Sequence, residues 1–227
     1  KNPEDAKPDK QLYDILQRLT DDPDNTVVII SGRDKETLSR WFPKKWKVHF
    51  VAEHGVWFRE PGSDWHMMEQ INNDWRESVE PLLEYYVDQT PRSFIEYKNF
   101  SLVWHYRKSD PDLSLQRAWE LKDELRTLTS NLNLEIMDGD KVLEIKYSGI
   151  NKGRAASHKL GDNPFEFIFA VGDDWTDEFT FEAMPEEAYT IKVGTKTTKA
   201  NFYIDSVDLV REMLCKFTKD DCDAAEN

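Results

Sequence analysis

The segment Phe165–Glu178 reads FEFIFAVGDDWTDE and predicts the class of fold. Its first part, Phe165–Val171, is an apolar run of strand length. Four acidic side chains follow this strand within six positions: Asp173, Asp174, Asp177 and Glu178. In a parallel α/β sheet, ligands bind beyond the carboxyl ends of the strands. The segment therefore predicts a functional loop at the edge of such a sheet.

The crowding of carboxylates in this loop indicates a bound cation. Like charges this close repel and raise one another's pKa unless a positive charge neutralises them. Oxygen-only ligands suit Mg²⁺, which takes one or two carboxylates and keeps several waters. We therefore expect Asp173 and Asp174 to bind Mg²⁺. Alternatively, Asp177 and Glu178 only complement the N-terminus of the next helix, but that leaves the other two unexplained.

Three further apolar runs of strand length occur elsewhere in the sequence. Two lie upstream, at Val27–Ile30 and Val48–Ala52, and one lies downstream, at Tyr189–Val193. Helical patterns such as Asp34–Trp41 separate them. Strands that alternate with helices predict an α/β fold with a parallel sheet.

Polar turns follow the two upstream strands, at Ser31-Gly32-Arg33 and Glu53-His54-Gly55. The hydroxyl of Ser31 and a free backbone N–H could bind a phosphate oxygen, and Gly32 allows close approach. The alternative is an ordinary strand-to-helix turn.

A second candidate anion site begins at Asn151, a residue type that caps helix N-termini well. Lys152 follows in the first turn, where its charge opposes the helix dipole unless an anion lies nearby. This favours Lys152 as a phosphate ligand. A solvated surface lysine is the alternative.

Residues 74–148 have a different pattern, in which a helix and two strands occur twice. This αββαββ order predicts a small antiparallel sheet backed by two helices, inserted as a cap into an α/β core. The core would comprise residues 1–73 and 149–227.

Two Glu-x-Lys pairs mark the cap strands. Because side chains alternate between the faces of a strand, Glu96 and Lys98 share one face, and Glu144 and Lys146 share one face. Leu143 and the other apolar neighbours would pack on the helices, which leaves the charged pairs exposed. Carboxylates and ammonium groups suit sugar hydroxyls. A cross-strand ladder of ion pairs on a solvated face is the alternative.

Together these motifs resemble the trehalose-6-phosphate phosphatases of the haloacid dehalogenase superfamily, from Asn2 to about residue 210. The resemblance implies a Rossmann-like core with an inserted αββαββ cap. It also implies Mg²⁺-dependent hydrolysis of trehalose 6-phosphate to trehalose and phosphate through an aspartyl-phosphate intermediate. The implied catalytic residues are Ser31, Lys152, Asp173 and Asp177. The implied substrate-binding residues are Ser31, Gly32, Arg33, Glu53, His54, Gly55, Glu96, Lys98, Glu144, Lys146 and Asn151.

The nucleophile motif of the family, Asp-x-Asp-Gly-Thr, does not occur in the sequence. We expect it just upstream of Lys1, together with the first strand of the core, whose absence would leave a gap in the sheet. Two alternatives stay open: another sugar phosphatase of the superfamily, such as a sucrose-phosphate type, and a nucleophile-less pseudoenzyme that binds trehalose 6-phosphate.

Charge and composition restrict the partners. The net charge of −14 disfavours nucleic acid and anionic membranes, and no apolar run reaches the length of about 18 residues needed for a membrane span. Two cysteines, Cys215 and Cys222, are too few for a disulfide framework and favour a reducing, cytoplasmic setting. By resemblance, a fusion to or complex with a trehalose-phosphate synthase is expected.

Overall fold

The computed structural model describes residues 7–68, 72–161, 164–194 and 197–218. It divides into two compact units, Lys1–Met68 with Asn151–Asn227 and, inserted between these segments, Glu69–Ile150. The helices are α1 (Lys10–Asp21), α2 (Lys35–Trp41), α3 (Trp75–Gln89), α4 (Pro111–Leu128), α5 (Lys152–Leu160), α6 (Asp177–Ala183) and α7 (Val207–Lys216). The strands are β1 (Val28–Ile30), β2 (His49–Ala52), β3 (Trp57–Arg59), β4 (His66–Met67), β5 (Phe94–Tyr97), β6 (Ser101–His105), β7 (Leu134–Gly139), β8 (Val142–Tyr147), β9 (Phe169–Gly172), β10 (Tyr189–Val193) and β11 (Phe202–Ile204).

The first unit contains parallel strands with helices between them, which confirms the predicted α/β class. β1 pairs in parallel with β2, and β10 pairs in parallel with both β9 and β11. The antiparallel strands β3 and β4 extend the first of these sheets. Within the described ranges, β1 and β9 are the end strands of two separate sheets, in the order β1-β2-β3-β4 and β9-β10-β11.

Among the four strands predicted above, the start of β9 was the largest error. The apolar run from Phe165 predicted a strand over its whole length, but β9 begins at Phe169. The reason is the partner strand: β10 begins at Tyr189, which is paired with Phe169, so the residues before it have no ladder to join.

Apolar spacing explains how α1 joins the core of the first unit. Ile15, Leu16 and Leu19 lie on one face of the helix and are buried, and the side chain of Asp9 caps the N-terminus by accepting from the Leu12 amide at 2.9 Å. Around this face lies a cluster of buried apolar residues: Leu16, Leu38, Trp41, Phe42, Val48, Phe50 and Ala52.

The second unit has the predicted αββαββ order. Its four antiparallel strands run in the order β5-β6-β8-β7. The inward side chains of this sheet pack against α3 and α4 in a core that includes the fully buried Trp104, Leu143 and Ile145.

Cys215 lies in α7, whereas Cys222 lies outside the described residues, so the expectation about the two cysteines stays a prediction. Within the described ranges, no helix combines the length and the apolar character needed to cross a bilayer.

Candidate active site

The Ser31 turn is fixed by hydrogen bonds of its own. The Ser31 amide donates to the Val51 carbonyl of β2 at 2.9 Å, which extends the parallel ladder past the end of β1. The Ser31 hydroxyl accepts from the Arg33 amide at 3.1 Å, a local bond that serine commonly makes in turns. The hydroxyl is therefore held at the carboxyl end of the strand, where a ligand would approach.

The two predicted polar turns lie against each other. The His54 amide donates to the Ser31 carbonyl at 3.0 Å, and the Glu53 amide donates to the Arg33 carbonyl at 2.9 Å. Glu53 and His54 have φ values of 49° and 59°, a left-handed conformation that is uncommon outside glycine. The two backbone hydrogen bonds offset part of the free-energy cost of this left-handed conformation. A Cβ at Gly32 would clash with the imidazole of His54, so the contact requires glycine there.

The second turn packs against the start of α5. A Cβ added at Gly55 would lie 3.0 Å from the Asn151 carbonyl oxygen and 3.4 Å from the Ala155 Cβ. The Asn151 side chain caps α5 as predicted, because its oxygen accepts from the Arg154 amide at 2.8 Å. The structure thus places the start of α5, where Asn151 and Lys152 lie, against the second polar turn, which in turn contacts the Ser31 turn.

Lys152 is not a solvated surface lysine, since it is only 7% exposed. Its ammonium donates to Asp177 Oδ1 at 2.7 Å. The other oxygen of the same carboxylate accepts from the Asp174 amide at 2.9 Å, and a Cβ at Gly172 would clash with this carboxylate. Asp177 therefore holds Lys152 in one position and joins α5 to the segment 173–178, here called the acidic loop.

Glu178 is held by a second buried lysine. Lys192 Nζ lies 3.0 Å from Glu178 Oε1, and the carboxylate also accepts from the Lys199 amide at 2.7 Å and from the Thr198 hydroxyl at 3.0 and 3.1 Å. Burial alone would raise the pKa of Glu178, but these hydrogen bonds and the charge of Lys192 hold that pKa below its usual value.

Asp177 and Glu178 thus have ammonium partners, which leaves Asp173 and Asp174 as the two carboxylates available to a cation. Both are exposed. The Asp174 carboxylate accepts from the Trp175 amide at 2.7 Å, while the structure gives the carboxylate of Asp173 no hydrogen bond or ion pair within the described ranges. The same ranges hold no group of three or more His, Cys, Asp or Glu side chains arranged as a metal site. Mg²⁺ takes only one or two protein carboxylates, so this pair fits it.

In the second unit, Glu96 and Glu144 lie on one face of the sheet, because each is paired in register with Val103 of β6. Glu144 Oε1 accepts from the Ser101 hydroxyl at 2.7 Å and lies 3.3 Å from Lys98 Nζ. Glu96 Oε2 lies 2.7 Å from His105 Nε2, a contact that the sequence analysis did not predict.

Lys146 differs from its prediction. It lies on the same face but is only 6% exposed, and its ammonium donates to the Ile150 carbonyl at 2.6 Å. Burial lowers the pKa of Lys146, although Glu135 counteracts this effect. Strand alternation gives the face on which a side chain lies but not its depth, so the expectation of an exposed Lys146 was wrong.

Comparison with known structures identifies the fold. A haloacid dehalogenase-like hydrolase from B. subtilis superposes with a TM-score of 0.66 and covers 91% of this chain and 92% of its own, at 14% identity, a level that shows the fold alone. The fold is therefore that of the haloacid dehalogenase-like hydrolases.

The chain belongs to the trehalose-phosphatase family, whose model matches residues 1–208. A trehalose-6-phosphate phosphatase structure from Aspergillus fumigatus is 32% identical, has a TM-score of 0.81, and covers 96% of this chain and 86% of its own. A bifunctional trehalose-6-phosphate synthase/phosphatase from Thermoproteus tenax is 35% identical over 212 residues, which are 93% of this chain and 29% of the relative. The chain thus spans less than a third of the length of that relative.

Proposed function

We propose that the protein hydrolyses trehalose 6-phosphate to trehalose and phosphate in a Mg²⁺-dependent reaction with an aspartyl-phosphate intermediate. The observation that carries this proposal is the continuous set of contacts in the first unit. It runs from Ser31 through the turn at His54 and Gly55 to Asn151, which directly precedes the Lys152–Asp177 ion pair. The substrate is the one named for the trehalose-6-phosphate phosphatase of A. fumigatus.

In this proposal, Ser31 and Lys152 bind the phosphoryl group. The Ser31 hydroxyl and the Lys152 ammonium would donate to phosphoryl oxygens, and Asp177 keeps the ammonium in place before the substrate arrives. Donors fixed in advance stabilise developing charge without having to reorganise during the reaction. Mg²⁺ held by Asp173 and Asp174 would supply further charge neutralisation at these oxygens.

The nucleophile in this proposal is a carboxylate from a segment upstream of Lys1. Its oxygen forms a bond to phosphorus while the bond from phosphorus to the sugar oxygen breaks, and a second carboxylic acid protonates the departing trehalose. Water then hydrolyses the aspartyl-phosphate and releases phosphate. Val28 and Ile30 of β1 are partly buried and Val171 of β9 is 37% exposed, so a further strand beside these two end strands would cover them.

The sugar is assigned to the open face of the second unit. Glu96 and Lys98 are about half exposed and can exchange hydrogen bonds with hydroxyl groups, which both donate and accept. Glu144 is bonded to Ser101 and Lys98, so its position is fixed in advance. We further propose that the reaction takes place in the cytoplasm and that a trehalose-phosphate synthase domain, like that named in the T. tenax relative, supplies the substrate.

The test is phosphate release from trehalose 6-phosphate by the full-length protein, with Mg²⁺ and with excess chelator. The proposal requires stoichiometric trehalose and phosphate in Mg²⁺ and loss of turnover with chelator. Binding of trehalose 6-phosphate without turnover would support the pseudoenzyme instead. Faster turnover of sucrose 6-phosphate than of trehalose 6-phosphate would support a different sugar phosphatase.

A further inference from the structure

Lys192 is a buried lysine in a parallel strand, and the mechanism proposed above gives it no role. It lies one residue before the end of β10 and is 2% exposed. Burying an ammonium group is costly unless the charge is paired and its donors are satisfied. Within the part of the chain that the structure describes, the two partners of Lys192 lie in one short segment: the Asp174 carbonyl at 2.8 Å and the Glu178 carboxylate at 3.0 Å.

We propose that Lys192 is a positioning residue that holds the acidic loop in the conformation that binds the metal ion. This inference rests on the proposed function, in which Asp173 and Asp174 are the metal ligands. The Asp174 carbonyl accepts from Lys192 and also, at 3.3 Å, from the Asp177 amide. Lys192 therefore holds the peptide group between Asp174 and Trp175 in place, next to the Asp174 side chain.

The other partner of Lys192, Glu178, joins the acidic loop to the segment that leads into β11. Glu178 binds Lys192 on one side and the Thr198 hydroxyl and the Lys199 amide on the other. The acidic loop is consequently tied to β10 and to the residues that lead into β11. The carboxylates of Asp173 and Asp174 repel each other and form no ion pair within the described ranges, so without a fixed backbone they would spread apart until a cation bound. Lys192 reduces this cost by fixing the backbone beneath them.

A purely structural role for Lys192 makes a different prediction. If the lysine only joins α6 to the sheet, its loss would lower stability equally with and without metal. If it positions the loop, its loss would also weaken the binding of Mg²⁺. Outer-shell partners of metal ligands typically change metal affinity by about 10- to 100-fold, and we expect a value at the lower end because Lys192 acts through a carbonyl.

The experiment measures the melting temperature of the full-length protein against Mg²⁺ concentration, without substrate. A metal that binds only the folded state raises the melting temperature once its concentration passes the dissociation constant. Lys192→Met, which keeps the apolar stem, should move this rise to about tenfold higher Mg²⁺. Hydrogen exchange at the Asp177 amide should also become faster. Lys199→Met is the matched control, because this lysine is exposed and, among the residues that the structure describes, its ammonium pairs only with Glu182.

Each outcome decides the question. An unchanged Mg²⁺ dependence in Lys192→Met overturns the inference, even where the metal-free melting temperature falls. Should this variant not fold, Glu178→Gln replaces it, since it keeps the shape of the side chain and removes its charge. It must then weaken Mg²⁺ binding several-fold, and an unchanged dependence overturns the inference equally. If the unaltered protein shows no rise with Mg²⁺, the proposed function itself fails.

Discussion

Lys152 and Asp177 form a buried ion pair between the first residues of two successive helices, with Lys152 Nζ 2.7 Å from Asp177 Oδ1. A lysine in the first turn opposes the helix dipole, whereas an aspartate there complements it. Asp177 thus offsets the unfavourable position of Lys152 and makes its burial tolerable. The ion pair joins two residues that are distant in the sequence, and it orients the Lys152 ammonium before any phosphate binds.

The first prediction concerns Asp173, the proposed metal ligand whose carboxylate has no partner within the described ranges. Asp173→Asn should abolish Mg²⁺-dependent turnover by the full-length protein, because an amide replaces a carboxylate that a divalent cation requires. The melting temperature without metal should stay unchanged, since Asp173 makes no hydrogen bond or ion pair within the described ranges. Near-normal turnover in Mg²⁺ would show that this loop does not hold the metal.

The second prediction concerns the buried ammonium group. Lys152→Ala should lower turnover by at least about 10²-fold, the effect of removing one preorganised stabiliser of charge. Lys159→Ala is the control on the same helix, because that lysine pairs with Glu60 at a more exposed position. Steady-state assays with both variants test this assignment. A loss of only a few-fold in Lys152→Ala would leave the lysine with a structural role.

The third prediction concerns the contact between α5 and α6. A Cβ at Gly153 would clash with the backbone carbonyl of Phe179, which cannot move without its helix. Gly153→Ala should therefore destabilise the protein by about 1–3 kcal/mol, as overpacking does. It should also reduce turnover, because Lys152 would shift. Ser157→Ala, at an exposed site on the same helix, should leave both unchanged in urea unfolding and activity assays. Equal stability of the two variants would contradict the close helix contact.

The sequence predicted some elements closely and others poorly, for identifiable reasons. Tyr189–Val193 forms a strand with the predicted bounds, because the run pairs along its whole length with β9 and β11. The run from Phe165 failed because apolar character does not show where the partner strand begins. Phe167 instead places its ring 5.4 Å from that of Tyr189, outside the ladder.

The burial of individual side chains was the other feature that the sequence did not predict. Polar motifs located the Ser31 turn, Asn151 and the acidic loop, because turn and cap residues act locally in the chain. Lys146 and Lys192 are buried through contacts with other segments, and no spacing rule reports such contacts. A lysine near the end of an otherwise apolar strand was the only signal available for Lys192.

The fourth prediction is a pH dependence at Glu178, whose pKa is lowered in the folded protein. A carboxyl group with a depressed pKa stabilises the fold above its unfolded pKa, and this contribution is lost as the pH falls through the folded value. Glu178→Gln should thus lower the free energy of unfolding at pH 7, and the difference should shrink below the usual glutamate pKa of 4.5. Urea unfolding at several pH values measures this difference. A gap that persists undiminished into strong acid would contradict the assignment.

The last prediction separates sugar recognition by the second unit from a ladder of ion pairs without a ligand. Glu96 and Glu144 share one sheet face, and each carboxylate already has a polar neighbour, His105 or Ser101. If they bind sugar hydroxyls, Glu96→Ala or Glu144→Ala should lower kcat/KM for trehalose 6-phosphate. A hydrogen bond to a charged group is worth about 1.5–3 kcal/mol, which corresponds to roughly 10- to 150-fold.

A small phosphate ester provides the internal comparison for this prediction. Its turnover would depend only on residues of the first unit, such as Ser31 and Lys152, so neither glutamate variant should change it. Asp123→Ala, at an exposed position of α4, is the matched control and should leave both substrates unaffected. Equal losses on both substrates would indicate a folding defect rather than lost recognition. No loss on either would mean that Glu96 and Glu144 only pair with their neighbours, because removing a sugar ligand must weaken the reaction of the sugar phosphate.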